Sequence, residues 1–164
     1  MTFSNRMTRQ LAPIERLPAP LQRTARSWAL RRAVPFTGTA RLVYEEVTPG
    51  RVVVSIANRR PVQNHIHGVH ATAMALLAET ATGFVVGMNL PDDKLPLLKS
   101  MQIDYVKRAE GGLRASARLS EEQTEALRSQ PKGDVEVAVI VTDSAGVEPI
   151  RCRMVWAWIE RERR

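Results

Sequence analysis

A chain of 164 residues, 44% of them apolar and one of them cysteine, can bury a sizeable core as a single domain without disulfide staples. Cys152 has no partner within the chain, which excludes a disulfide-built secreted scaffold and favours a reducing compartment, so the expected location is the cytoplasm. The net charge of +7 suggests nucleic acid only until it is divided: residues 1–32 hold seven Arg and one acid, Glu15, a net of +6, and the rest carries +1. A basic stripe interleaved with aromatics is missing from that nearly neutral body, so nucleic acid is not an expected partner.

In chain order the basic segment comes first. Leu11, Ile14, Leu17, Leu21, Ala25 and Trp28 recur at helix-like intervals among Arg16, Arg23, Arg26, Arg31 and Arg32. The spacing predicts one or two amphipathic turns docked on the body, with residues 1–33 as a helical segment and 34–164 as the main domain. Contact of its arginines with anionic lipid or with substrate phosphates is a second reading. Pro13, Pro18 and Pro20 break this segment and Glu79 interrupts the longest apolar run, so no export or membrane-spanning segment is expected.

Thr39 to Val47 and Arg51 to Ala57 read as two strands joined at Thr48-Pro49-Gly50. The polar loop Asn58 to Gly68 leads into an apolar helix from Val69 to Met88, and Leu90-Pro91-Asp92-Asp93 ends it. Strands follow over Leu98 to Val106 and Leu113 to Leu119. Ser120 with Gln123 forms a capping-box pattern for a short helix, Glu121 to Ser129. Asp134 to Thr142 and Ile150 to Ile159 alternate most cleanly, with Trp156 and Trp158 as core or interface residues. The order β-β-α-β-β-β-β predicts an α+β fold, an antiparallel sheet with one face around the helix and its last four strands in a meander.

Glu79 is the residue that this pattern leaves to be explained. Met74, Leu77, Ala78, Ala81, Phe84 and Val85 surround it on a helix apolar on every face. Burial disfavours the carboxylate and raises its pKa, which suits a general base, whereas a structural role calls for an arginine or hydroxyl partner. His65, His67 and His70 could ligate a metal, but no Cys or Asp stands with them and no metal is expected. The opening turn of the helix offers free N–H groups, at Ala71 and Thr72, to a developing oxyanion.

The order of elements, together with Asn64…His70-Ala71…Glu79-Thr80, resembles the hotdog-fold acyl-CoA thioesterases, in particular the branch related to the phenylacetic-acid-pathway thioesterase, over about residues 34–160. Val34-Pro35-Phe36-Thr37-Gly38, Asn64-His65-Ile66-His67 and the run from Asp104 to Gly111 are similar to an uncharacterised bacterial hotdog family near that branch. The thioesterase pattern has an Asn, a His six residues on and an acid nine further, and Asn64, His70 and Glu79 keep both intervals. Ala71 replaces a glycine, which preserves the backbone N–H. The Ser or Thr of the third strand has no counterpart, Leu98 standing there with Lys99 beside it.

The resemblance implies hydrolysis of a thioester of coenzyme A or an acyl carrier, with no cofactor beyond coenzyme A as part of the substrate. The site would be shared across a homodimer, which could pair into a tetramer. Glu79 would act as general base or nucleophile, Asn64 would position water or carbonyl, His70 would order the loop and Ala71 would supply the oxyanion N–H. His67, Gly68, Thr72, Thr80 and Lys99 would touch substrate, and phosphates would meet arginines that the sequence does not single out. A non-catalytic acyl-binding module and an enoyl-thioester hydratase or dehydratase are the alternatives that the same fold allows.

Overall fold

The structure is a computed structural model and describes residues 3–161; the extreme ends of the two expected segments, residues 1–2 and 162–164, lie outside it. Two helices, α1 (Arg6–Glu15) and α2 (Ala19–Ala33), lead into a one-turn helix α3 (Pro35–Thr39). The hairpin β1 (Val43–Val47) and β2 (Val52–Ile56) follows, then a short 3-10 turn, Arg60–Val62, and the long helix α4 (Ala71–Asn89). The chain finishes with β3 (Lys94–Tyr105), β4 (Leu113–Arg118), α5 (Glu121–Ser129), β5 (Gly133–Asp143) and β6 (Ile150–Glu160).

All six strands pair antiparallel in the order β1-β2-β4-β5-β6-β3. The middle strand β5 changes partner along its length: residues 138–143 pair with β4 and residues 133–137 with β6. That split lets the sheet curl around α4, and the inward rows meet the helix: Leu113, Ala115 and Ala117 from β4, Val135, Val137 and Val141 from β5, Met154, Trp156 and Trp158 from β6. α4 is long and apolar enough to cross a membrane by length and composition, and it is also the core helix that this sheet encloses. The result is a hotdog fold.

The expected four-strand meander is corrected. β4 does not follow β3 as a hairpin; it lies between β2 and β5, while β3 runs along the far side of β6. Alternation assigns a strand its faces but says nothing of its neighbours. β3 also begins four residues earlier than the alternation indicates. The buried Lys94 ammonium donates to the carbonyls of Leu127, Arg128 and Gln130 at the end of α5, the electronegative end of a helix. The first strand begins later than expected, because Pro35–Thr39 coils into α3 and Arg41 takes a left-handed turn, φ 53°.

α1 docks through the expected Leu11 and Ile14, whereas α2 turns a different face inward from the expected apolar one. On α2 the side chains turned inward are Arg26, Ser27 and Leu30, while Leu17, Leu21 and Trp28 are exposed, Trp28 at 68%. The reason is the strand beneath. β1 is a sheet edge with open backbone groups, and α2 satisfies them with polar side chains: Tyr44 N–H donates to Ser27 Oγ at 3.0 Å, Arg26 donates to the Glu45 carbonyl at 2.6 Å, and Arg31 donates to the Leu42 carbonyl. Arg26 also pairs with Glu15 at 2.7 Å, tying α2 back to α1. α1 opens with Asn5, a buried cap whose Nδ2 donates to the carbonyls of Gly87 and Leu90 and so closes the far end of α4.

Candidate active site

The loop before α4 is organised by Asn64. Its Oδ1 accepts from the N–H groups of Ile66 and Gly68, at 3.1 and 3.0 Å, and its backbone N–H donates to the Gly68 carbonyl. Its Nδ2 donates to no described protein group, so two donors remain for a ligand. His67 sits in the left-handed region, φ 60°, with its carbonyl held by Asn58, and its side chain is exposed. His65 is exposed as well, and among the described residues no group of three or more His, Cys, Asp or Glu side chains is arranged to hold a metal.

His70 is the N-cap of α4. Its Nδ1 accepts from the Thr72 N–H at 3.2 Å and lies 2.9 Å from Thr72 Oγ1. The Thr72 amide is therefore engaged by His70, unlike that of Ala71. The Ala71 N–H has no acceptor among the described residues, and the positive end of the helix lies behind it. Tyr105, which the sequence offered only as a strand residue, donates from its hydroxyl to the Ala71 carbonyl at 2.9 Å and fixes the helix start against β3.

Glu79 stands two turns further on, half-buried. No described group forms an ion pair or hydrogen bond with its carboxylate of ordinary geometry. Burial pushes its pKa above the usual carboxylate value; the neighbouring Thr80 hydroxyl pulls weakly the other way without a well-formed hydrogen bond. Thr80 is 2% exposed and its Oγ1 bonds to no protein group, an orphan beside the carboxylate. Thr72, Ala75, Leu76, Glu79 and Gly83 form a stripe of α4 that the rest of the protomer buries only in part.

Two contacts set β3 beside that stripe. Tyr105 touches Ala71, and Trp156, the ladder partner of Leu98, lies so close beneath Gly83 that a methyl there would fall 2.7 Å from its ring. β3 thus runs antiparallel to α4. Lys99 does not belong to this surface. A bulge between Leu98 and Ser100 turns its ammonium to the outer side of the sheet, where it pairs with Asp134, apart from the other expected site residues.

At the start of α4 a cleft of about 250 Å³ opens between α3, the 3-10 turn and the helix, lined by Phe36, Ala40, Gln63, His70, Thr72 and Leu76 among others. A second cavity of about 330 Å³ lies at the opposite end of α4, among Asn5, Arg9, Asp92 and Arg161, away from the candidate site residues. The site is thus two incomplete halves on one helix. One is a free amide with a cleft, and the other is an unpartnered carboxylate on an open stripe.

The six-stranded antiparallel sheet around one helix is shared with solved hotdog-fold proteins. Similar structures include a Pseudomonas aeruginosa protein of unknown function described as a probable thioesterase, 24% identical, TM-score 0.72, covering 88% of this chain and 97% of that one. A thioesterase family protein from Silicibacter pomeroyi is 12% identical, TM-score 0.64, with 82% and 96% covered. A Haemophilus influenzae thioesterase is 10% identical, TM-score 0.62, with 76% and 82% covered. None of the curated proteins compared with the chain matches it. The chain belongs to the DUF4442 family, a domain of unknown function, whose model matches residues 22–159.

Proposed function

We propose that the protein hydrolyses acyl thioesters of the coenzyme A type, as a dimer in which each site joins the α4 start of one protomer to Glu79 of the partner subunit. The observation that carries this reading is the lone carboxylate. Glu79 is half-buried, its pKa is raised, and no cation neutralises it, which is the condition of a group kept ready to take a proton. The descriptions of the structural relatives as thioesterases support the same chemistry.

Ala71 and Glu79 lie roughly 12 Å apart along one helix, too far to act on one carbonyl, so a single protomer is incomplete. The edge of β3 supplies a place for the second copy: it is twelve residues long, and Leu95, Leu97, Leu98, Met101 and Tyr105 are exposed along it. In the assembled site the thioester oxygen accepts from the Ala71 N–H as it gains charge. Glu79 of the partner subunit removes a proton from water, whose oxygen attacks the carbonyl carbon. The C–S bond then breaks, the thiolate leaves with its electron pair and takes up the proton, and the products are acid and thiol. Asn64 Nδ2 is the unspent polar group that can hold the water.

The test is thiol release from short, long and aromatic acyl-CoAs by wild type and Glu79→Gln. Turnover that falls at least about a hundredfold in a folded variant is the expected result. Absence of turnover across the panel leaves an acyl-binding module in its place, and equal activity in both proteins makes Glu79 structural.

A further inference from the structure

Three arginines meet at one turn of chain beside the α3–α4 cleft: the guanidinium groups of Arg31 and Arg59 hold its backbone, and Arg41 is part of it. Arg59 donates to the Ala40 carbonyl at 2.8 Å, Arg31 donates to the Arg41 and Leu42 carbonyls, and Arg41 itself occupies the left-handed turn between them. None of the three takes part in an ion pair among the described residues. Arg31 arrives from the basic N-terminal segment, whereas Arg41 and Arg59 belong to the near-neutral body, so the fold has brought together charges distant in sequence. Burial chiefly lowers the Arg31 pKa from its ordinary value; the Tyr44 hydroxyl opposes the shift, and the charges of Arg41 and Arg59 add to it. Gathering like charges costs energy, and an anion repays it, a phosphate best of all because planar guanidinium groups match its oxygens.

The cluster adjoins the cleft without lining it: Arg59 donates to the carbonyl of Ala40, which lines the cleft with Thr39, and Arg41 follows Ala40 in the chain. At its other side the cleft is lined by His70 and Thr72, next to the free Ala71 amide. We infer that Arg31, Arg41 and Arg59 bind the phosphate end of a phosphopantetheine thioester, from coenzyme A or a carrier protein's prosthetic arm, whose pantetheine lies along the α3–α4 cleft toward Ala71. This rests on the thioesterase reading for the direction of the arm, while the phosphate site itself can be tested without turnover.

Arg41→Asp is the informative variant. The Arg41 side chain makes no hydrogen bond within the described protein, and aspartate tolerates a left-handed backbone, so the fold should be kept. Calorimetric titration would compare coenzyme A, 4′-phosphopantetheine and pantetheine against both proteins. Wild type is expected to bind coenzyme A at least about tenfold tighter than pantetheine, with the advantage shrinking in salt; Arg41→Asp should abolish it and leave pantetheine binding unchanged. An Arg41-dependent advantage equal for 4′-phosphopantetheine and coenzyme A supports the site and assigns it to the phosphate that both carry. A larger advantage for coenzyme A supports it and assigns it to the nucleotide phosphates.

Equal affinity of wild type for coenzyme A and pantetheine, no binding of either, or coenzyme A affinity unmoved in Arg41→Asp overturns the inference. If coenzyme A binding needs Arg41 but no thioester is hydrolysed, the phosphate site stands and the thioesterase reading falls; Glu79-dependent hydrolysis with Arg41-independent binding gives the reverse.

Discussion

The two edges of the sheet are treated in opposite ways. At β1 the open backbone groups are met by Ser27, Arg26 and Arg31 of α2, so thoroughly that the helix turns its polar face inward and leaves Leu21 and Trp28 outside. At β3 a longer strand lies uncovered, with apolar side chains on view. An uncovered edge is a template for pairing, and in the dimer proposed above the bare edge is the one that receives the second copy. The bare edge is also the one beside Glu79. On the thioesterase reading, then, the closed edge serves stability and the open edge serves assembly and catalysis.

The sharpest way to break that contrast is Met101→Glu, which puts a charge in the middle of the open edge at a side chain already exposed in the protomer. Sedimentation should show a dimer becoming a monomer, thiol release should drop at least about a hundredfold, and the chain should stay folded, melting lower by what association contributed. A monomer with full turnover would sink the shared site. At the closed edge the pattern inverts. Arg26→Ala removes a buried guanidinium from Glu15 and from the Glu45 carbonyl, and urea unfolding should register a loss of about 2–4 kcal/mol while activity per folded molecule persists.

Glu79 gives a stability signature of its own. Between the ordinary glutamate pKa and its raised folded value, the folded state holds more protons than the unfolded one, so this group's contribution falls as pH rises through that window. Glu79→Gln should therefore melt higher than wild type at pH 7, with the gap closing as pH drops below the ordinary glutamate value. A gap that widens in acid would mean that the carboxylate is stabilised in the fold. The smallest effect belongs to Lys99→Ala, which breaks an exposed ion pair on the outer face; unfolding free energy should change by less than about 1 kcal/mol, and KM for an acyl-CoA should be unaltered.

What the sequence made legible was mostly local. The Ser120 and Gln123 capping box forms as its spacing predicts, and α5 runs from Glu121 to Ser129 because every determinant lies within a few residues. The inward rows of β4, β5 and β6 follow from alternation alone. The placement of β3 beside β6 was not legible, because pairing is decided by where α4 delivers the chain. Nor was the docking face of α2: its apolar spacing suggested a buried Leu21 and Trp28, but the needs of the β1 edge outweighed them. At the candidate site the isolation of Glu79 could be read from its apolar neighbours. The loss of the Thr72 amide to His70, the contact of Tyr105 with Ala71 and the bulge that sends Lys99 outward all depend on atomic geometry that spacing does not encode.

The turning of α2 also gives the protein a pair of optical labels. Trp156 and Trp158 lie inside the sheet, hydrogen-bonded to Thr82 Oγ1 and to the Gln130 carbonyl, whereas Trp28 stands in solvent. Indole emission shifts to longer wavelength as its surroundings become wetter, so the red flank of the spectrum reports the N-terminal helices and the blue flank reports the core. Acrylamide should silence the first and spare the second. Unfolding of the helices ahead of the sheet, or the covering of α2 by a lipid surface or another chain, would each be visible in the native protein without an added dye.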